Sequence, residues 1–138
     1  MNALPDELAR LLDYSQSLAN LLLEDQGEFY PFGVYMNSSN VITQRLFNDG
    51  DDFPLSTALI NIIKHDFEQL MAAGITVATA ITYDGKVTNA RFTEATDVII
   101  VRLSMHNLSS AILYYLPYQL TETGVEYTTG WVETEQIS

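Results

Sequence analysis

The stretch TDVIIVRLSMHNLSSAILYYLP, residues 96–117, determines the fold class that we predict for this chain. The segment Thr96–Met105 is rich in valine, isoleucine and leucine and contains neither glycine nor proline, which is typical of a β-strand. A short polar segment, residues 106–110, separates it from a second apolar run at residues 111–117. Strands joined by so short a connection pair antiparallel, so the sequence predicts an antiparallel sheet.

Successive side chains of a strand point to opposite faces of its sheet. In Thr96–Met105, one face receives a run of four apolar side chains after Asp97, and we expect the helices to cover it: Ile99, Val101, Leu103 and Met105. The other face receives the alternate residues, Val98, Ile100, Arg102 and Ser104, followed by His106. Residues 111–117 are apolar or aromatic on both faces, which indicates a strand that is central, covered or part of an interface.

The partner of this strand is predicted at residues 75–87, which are rich in isoleucine, valine and threonine. Asp84-Gly85 interrupts the segment, and this dipeptide is compatible with a type I′ turn or with a bulge in a longer strand. We favour the longer strand, with the connection at residues 88–95, because Thr96–Met105 needs a partner of matching length. A last strand is predicted at residues 125–131.

Two amphipathic helices are predicted in the first half of the chain. Residues 5–25 carry leucines at helical spacing, and Gly27 follows them as a typical helix stop. The second helix begins near Pro54 and Ser56 and ends at Gly74. Each helix has one apolar side, so each needs a surface to pack against.

These segments give the order α-β-β-α-β-β-β-(β), with a hairpin of residues 33–37 and 41–47 between the helices. We predict a single α+β domain over residues 1–138, with an antiparallel sheet of five or six strands. Both helices are expected on one face of the sheet, so that the opposite face is open.

The charge of the chain is strongly unbalanced. Only six lysines and arginines accompany 18 acidic residues, which gives a net charge of −12. This field repels nucleic acid and anionic membrane surfaces, and it favours a basic protein partner or serves solubility. The N-terminus shows no basic leader and no apolar run is long enough to cross a membrane, so we expect a cytoplasmic protein.

The sequence offers no group of residues typical of catalysis or of a cofactor site. The chain has no cysteine, and His65 and His106 are far apart and lack a metal-ligand spacing. The acidic loop at residues 48–52 does not match a calcium loop, because the first ligand position would fall on Arg45. Nucleophile and phosphate-binding motifs are also missing. We therefore predict no catalytic residue, metal or cofactor, and we favour a function other than that of an enzyme.

Two arginines within predicted strands suggest a binding site. Arg45 and Arg102 both fall on the face expected to be open, where an arginine is paired, stacked on an aromatic ring or available to an anionic ligand. The neighbouring strand supplies tyrosines: Tyr114, Tyr115 and Tyr118. We predict a polar and aromatic recognition surface from these residues. The simpler alternative is that both arginines pair with acidic residues of the chain itself.

The aromatic segment at residues 29–32 has two interpretations. In the first, its rings plug the edge of the core where the first helix leads into the sheet. In the second, they form an apolar patch for a partner, which requires that Tyr30 and Phe32 are exposed. The first interpretation is the more economical, because aromatic side chains stabilise a core when buried.

Several of these segments resemble a family of small acidic bacterial proteins of unknown function. The matching stretches are GEFYPFG (27–33), AITYD (80–84), TDVIIV (96–101), LPY (116–118) and VEY (125–127). The chain departs from the family at Val98, where members have alanine, and at Met105-His106, where they have a pair such as Glu-His. The resemblance implies a long strand through Asp84 with the loop after Thr88, and it implies no activity.

Three functions are compatible with the sequence. The first is a non-catalytic protein-binding or accessory module, for instance a toxin-neutralising protein, with a basic partner. The alternative is a small-ligand-binding or enzyme domain that uses the open sheet face around Arg45 and Arg102. In the third, the open face is the interface of a homodimer, which explains why residues 111–117 are apolar on both faces.

Overall fold

The computed structural model of the chain describes residues 4–45 and 56–136. Within these ranges the elements, in chain order, are α1 (Asp6–Gln26), β1 (Phe32–Asn37), β2 (Ile42–Arg45), α2 (Ser56–Ala72), β3 (Thr76–Val87), β4 (Thr96–Met105), β5 (Ser110–Thr121), β6 (Gly124–Tyr127) and β7 (Trp131–Gln136). Neither helix is long and apolar enough to span a bilayer. The end of the predicted strand at residues 46–47, the predicted loop at residues 48–52 and the predicted helix start at Pro54 lie outside the described residues.

The strands form one antiparallel sheet in the order β2-β1-β3-β4-β5-β6, and β7 pairs with β5 beside β6. The predicted α+β class and the antiparallel pairing are therefore confirmed. The predicted count of five or six strands is too low, because the described residues contain seven. The strand predicted at residues 125–131 is in fact split between β6 and β7.

Helix α1 begins and ends where the sequence predicts. Asp6 and Glu7 lie in its first turn, where acidic side chains stabilise the N-terminal end of the helix dipole. Gly27 follows its last residue with a φ of 77°, and the Gly27 backbone N–H donates to the Leu23 carbonyl at 2.8 Å. A positive φ of this kind favours glycine, because it has no Cβ.

Strands β3 and β4 form the longest pair of the sheet. They pair without interruption from Ala78 opposite Met105 to Val87 opposite Thr96. Asp84-Gly85 is therefore neither a turn nor a bulge, but part of a regular strand. The prediction of a long strand, with the connection after Thr88, is confirmed.

Strand β5 pairs with two successive strands along one edge, and an irregularity separates them. Tyr118 lies opposite Tyr127 in β6, whereas Tyr115 lies opposite Trp131 in β7. Two residues of β5 thus face three residues of the partner, 128–130, which is the count of a β-bulge. Pro117 lies at this bulge, where the regular pattern of backbone hydrogen bonds is already interrupted, so its missing N–H removes no such bond.

Helix α1 packs on one face of the sheet. Its buried side chains, including Leu8, Leu11 and Leu23, form one cluster with alternate residues of β1, β3 and β4: Val34, Met36, Ala78, Ala80, Ile99, Val101, Leu103 and Met105. The face that the sequence pattern assigns to Ile99 and its alternate neighbours is therefore the α1 face, as predicted.

Helix α2 packs on the opposite face, so the prediction that both helices share one face is wrong. Ile63 and Phe67 of α2 form a buried cluster with Ile81, whose neighbour Ala80 belongs to the α1 cluster. Gly33 also faces α2, since a Cβ placed there would lie 2.6 Å from Phe67 Cζ. Amphipathicity shows that a helix has one apolar side, but it does not specify which face of a sheet that side covers.

The face away from α1 is therefore covered by a helix over part of its area. Helix α2 covers β1 and β3, while the part formed by β4, β5 and β7 carries its own apolar cluster. There Val98, Ile100 and Leu113 are buried beneath partly buried side chains that include Tyr83, Tyr115 and Trp131. With both faces covered in this way, the apolar character of residues 111–117 on both sides follows from their central position in the sheet.

Candidate functional site: an acidic groove beside the first helix

Arg45, one of the two arginines predicted to bind an anion, is paired within the chain. It lies opposite Gly33, so it shares the face that α2 covers. Its Nη2 donates to Asp66 Oδ1 at 3.1 Å, and its Nε lies 2.7 Å from Asp66 Oδ2. This two-point contact with a residue of α2 matches the simpler alternative, intramolecular pairing.

Arg102, the second predicted arginine, is also paired. Its Nε donates to Glu135 Oε2 at 3.3 Å, and Lys64 Nζ of α2 lies 3.7 Å from Glu135 Oε1. The adjoining cavity, beneath α2 and next to Ser104, has a volume of about 40 Å³. Such a space holds about one water molecule, whereas small-molecule sites usually measure about 300–1,000 Å³.

The three predicted tyrosines of β5 do not form one site with the arginines. Tyr115 points to the α2 face with Arg102, whereas Tyr114 and Tyr118 pack against the α1 cluster on the other face. Tyr115 stacks on Trp131 with ring centroids 5.0 Å apart and an angle of 5° between the planes. Burial, with a hydrogen bond to Glu133, raises the pKa of Tyr115 to about 12.

Most of the aromatic segment after α1 is buried at the edge of the core, as the first interpretation expects. Phe29 and Phe32 are 9 % and 7 % exposed, and their ring centroids are 5.7 Å apart. Tyr30, by contrast, is 49 % exposed. The partner-patch interpretation requires exposure of both Tyr30 and Phe32, and only Tyr30 is exposed. The first interpretation therefore describes the segment, and Tyr30 is a single surface aromatic.

Tyr118 is hydrogen-bonded to a carboxylate that the sequence patterns do not single out. Its hydroxyl donates to Asp84 Oδ1 at 2.7 Å. Burial raises the pKa of Asp84 above its ordinary value, although the hydrogen bond from Tyr118 lowers it in part. Burial also raises the pKa of Tyr118, and the bond to Asp84 adds to this effect. The pair therefore resists ionisation of either group.

Replacing Asp84 by asparagine is expected to stabilise the protein at neutral pH. Because the folded protein retains the Asp84 proton to higher pH than the unfolded chain does, its stability falls as the pH rises from 3.8 through the folded-state pKa. Asp84→Asn removes this loss while its amide oxygen can still accept from Tyr118. Urea unfolding at neutral pH and below pH 3.8 measures the difference, which we expect to disappear in acid. Glu94→Gln, at an exposed loop position, is the control, and an equal gain there would contradict the assignment.

A hollow of about 550 Å³ lies between α1 and β6, and none of the predicted site residues lines it, although Tyr118 lies opposite its lining residue Tyr127 in the strand register. It is lined by Asp13, Gln16, Ser17, Asn20 and Tyr127. A second hollow of about 440 Å³ lies at the end of α1, between Glu24 and the turn at residues 121–124. We refer to the two hollows together as the acidic groove.

A chain of hydrogen bonds connects the two walls of the acidic groove. The Tyr127 hydroxyl donates to Asn20 Oδ1 at 2.7 Å, and Asn20 Nδ2 donates to Glu24 Oε1 at 3.0 Å. A Cβ placed on Gly124 would lie 3.2 Å from Glu24 Oε1, so the turn before β6 comes close to the end of α1. Burial raises the pKa of Tyr127, and the charge of Glu24 adds to this effect. The walls are therefore fixed relative to each other.

Each of the two hollows contains at least one carboxylate. Asp13 and Glu24 of the helix and Glu122 of the hairpin turn line the groove, and no lysine or arginine is among its lining residues in the described part of the chain. Most of the remaining lining offers amide and hydroxyl groups, which can accept hydrogen bonds from a cationic side chain, while Leu23 and Leu120 are apolar. This arrangement can bind lysine or arginine side chains, but it contains no nucleophile paired with a base.

The sequence contains only a partial signal of this groove. Asp13, Ser17, Asn20 and Glu24 recur at three- and four-residue spacing opposite the leucines of α1, a pattern that also fits an ordinary solvated helix face. The opposite wall comes from β6, about 100 residues later in the chain. No periodicity connects segments so far apart.

Neither a metal site nor a relative points to another function. Across the described ranges, no group of three or more His, Asp or Glu side chains lies close enough to hold a metal ion. Comparison of the chain with models of protein families, with curated proteins and with solved structures finds no match. The resemblance to small acidic bacterial proteins therefore stays a prediction.

Proposed function

We propose that this protein is a non-catalytic protein-binding module whose acidic groove binds a basic segment of another protein. The observation that carries this proposal is the groove between α1 and β6, with Asp13, Glu24 and Glu122 in its described lining and no lysine or arginine among the described residues that line it. A partner that inserts lysines or arginines would neutralise these carboxylates. As part of the same proposal, the protein acts in the bacterial cytoplasm as an accessory or neutralising factor.

The distribution of charge supports a basic partner. The net charge of −12 produces a long-range field that speeds the approach of a cationic protein. Arg45, Lys86 and Arg102 are each paired with a carboxylate, so they do little to weaken this field near the groove. Arg10 lies one helical turn from Asp13 and donates to the Asn40 carbonyl at 3.2 Å, so it offsets part of the field at that end of α1. Binding should therefore weaken as the salt concentration rises.

The alternative, a ligand-binding or enzyme domain around Arg45 and Arg102, has less support. Both arginines already bind carboxylates, and the cavity beside Arg102 is far smaller than the groove. A homodimer through the same face would have to pack on α2 as well as on the sheet. Light scattering distinguishes this homodimer from a monomer that binds its partner through the acidic groove. A monomeric protein in solution would argue against the homodimer.

Removing two groove charges is expected to weaken partner binding about tenfold. The variant is Asp13→Asn combined with Glu24→Gln, which keeps the shape of both side chains and an oxygen that can accept from Asn20. Wild type and variant are used to capture proteins from a bacterial lysate, and bound proteins are quantified by mass spectrometry. The affinity for the principal basic protein captured is then measured by calorimetry at two salt concentrations.

The matched control is Glu68→Gln combined with Glu94→Gln, which removes the same charge from exposed positions outside the groove. We expect this control to bind within about twofold of wild type, because it changes only the distant field. If both variants lost binding equally, net charge rather than the groove would be responsible. If neither did, the proposed site would be wrong.

A further inference from the structure

Strand β7 forms an uncovered edge of the sheet. One side of β7 pairs with β5, and among residues 4–45 and 56–136 no strand pairs with its other side. Val132, Glu133 and Thr134 are exposed, and Val132 is 50 % exposed although it is apolar. A sheet edge of this kind presents backbone groups that can pair with another strand.

The bulge before β7 shows which backbone groups point outward. The Pro117 carbonyl accepts from the Thr128 N–H, and the Tyr115 carbonyl lies against Gly130, so odd-numbered residues of β5 direct their backbone groups toward β7. In the β5–β7 register these residues lie opposite odd-numbered residues of β7, such as Glu133. Backbone groups alternate along a strand, so Val132 and Thr134 direct theirs outward.

The side chains of β7 define what can pair there. Glu133 is exposed on the α2 face, where the Trp131 Nε1 donates to its Oε2 at 3.2 Å. Glu135 lies on the same face, but Arg102 and Lys64 already bind it. Val132 and Thr134 occupy the other face. A complementary strand therefore carries a cation opposite Glu133 and apolar residues opposite Val132 and Thr134.

A second copy of this chain fits the edge poorly. The backbone groups that point outward belong to even-numbered residues of β7. If two copies paired antiparallel, even-numbered residues would have to bond to even-numbered residues of the other copy. Odd-numbered residues would then lie opposite odd-numbered residues. When two β7 strands overlap fully, Glu133 lies opposite Glu133 or Glu135 of the other copy. Like charges directly opposite each other destabilise a strand pair, a device by which natural sheets avoid pairing with themselves.

We propose that the outer edge of β7 accepts an extended basic segment of a partner protein as an added antiparallel strand. Backbone hydrogen bonds at Val132 and Thr134 would supply affinity, and Glu133 would select a lysine or arginine. This surface is separate from the acidic groove, and neither proposal depends on the other.

The test uses a synthetic peptide in which lysine alternates with valine. Trp131 is the only tryptophan of the chain and begins β7, so its fluorescence reports binding at this edge. We expect saturable binding of this peptide and none of a peptide in which glutamate replaces lysine. A peptide with N-methylated valines keeps its charge but loses the N–H groups that face β7, and we expect it to bind about tenfold more weakly.

Variants of the protein locate the binding. Thr134→Pro removes one outward N–H and is expected to weaken binding of the lysine peptide about fivefold. Thr134→Val keeps the N–H, so it should leave binding unchanged. Glu133→Gln is expected to weaken binding of the lysine peptide about threefold, because it removes the charge opposite the lysine. Amide exchange in the wild-type protein gives an answer that needs no variant, because peptide binding should slow exchange at Val132 and Thr134.

The proposal is overturned if the N-methylated peptide binds as tightly as its parent, because charge alone would then explain the binding. It is also overturned if exchange at Val132 and Thr134 is unchanged at saturation. The Asp13→Asn and Glu24→Gln variant leaves β7 intact, so it should still bind the lysine peptide even if the groove proposal fails. A loss of peptide binding in that variant would place the peptide in the groove and reject the edge.

Discussion

Replacing Gly130 by alanine is expected to lower the free energy of unfolding by about 3 kcal/mol, the upper end of the range for an overpacked site. A Cβ at this position would lie 2.2 Å from the Tyr115 carbonyl oxygen, far inside contact distance. That oxygen belongs to the backbone of β5, which β4 holds from the other side, so it cannot move away easily. The strain falls on the bulge that joins β6 to β7.

Urea unfolding followed by Trp131 fluorescence measures this effect, since Trp131 directly follows the glycine. Gly85→Ala is the matched control, because its nearest contact would be the Ile100 side chain at 3.1 Å, which can rotate. We expect the control to cost less than about 1 kcal/mol. A Gly130→Ala protein as stable as wild type would show that β7 does not approach β5 as described.

Gly33→Ala is expected to destabilise the protein by about 2 kcal/mol through its contact with α2. The new Cβ would lie 2.6 Å from Phe67 Cζ and 2.9 Å from Ile63 Cγ2, two side chains that are fully or almost fully buried. Both belong to the helix that packs on the second face of the sheet. The experiment therefore tests the position of α2 directly, by chemical or thermal unfolding.

A second substitution makes this test specific. Phe67→Leu removes the ring atoms nearest to Gly33, so adding Gly33→Ala to that background should cost about 1 kcal/mol less than in the wild type. Coupling of this size is typical of residues in contact, whereas the costs of distant, independent substitutions add. Strictly additive costs would mean that Phe67 does not pack on Gly33, and the assignment of α2 to this face would then be wrong.

Local sequence signals are sufficient for the elements themselves. The leucine spacing and Gly27 locate α1 to within a residue or two, and the long apolar segments locate β3 and β4. The requirement for a partner of equal length correctly rules out a turn at Asp84-Gly85. The division of β7 from β6 has no such local signal, because a bulge at residues 128–130 depends on the approach of Gly130 to β5.

The arrangement of the helices does not follow from local signals in the same way. Strand β4 carries apolar side chains on both faces, Val98 and Ile100 on one and Ile99 and Val101 on the other. This pattern is typical of a sheet covered on both faces, and it is present in the sequence. The prediction of a shared face relied instead on the similarity of the two helices, which says nothing about which face each one covers.

The candidate sites depend still more on tertiary structure. Arg45 and Arg102 stand out in the sequence as unusual strand residues, but their partners Asp66 and Glu135 are 21 and 33 residues away. With 18 acidic residues available, sequence alone could not choose among them. The prediction also grouped Tyr114 with Tyr115, although adjacent residues of a strand point to opposite faces.

Short-range periodicity, turn chemistry and composition are enough to specify the α+β class, the antiparallel pairing, the ends of α1 and the acidic field. Three further features emerge only when the chain is folded: which face of the sheet each helix covers, which acidic residues pair with the strand arginines, and where the acidic groove and the β7 edge lie. The physical reason is that these features arise from contacts between segments distant in sequence, and such contacts are selected by packing of the whole domain.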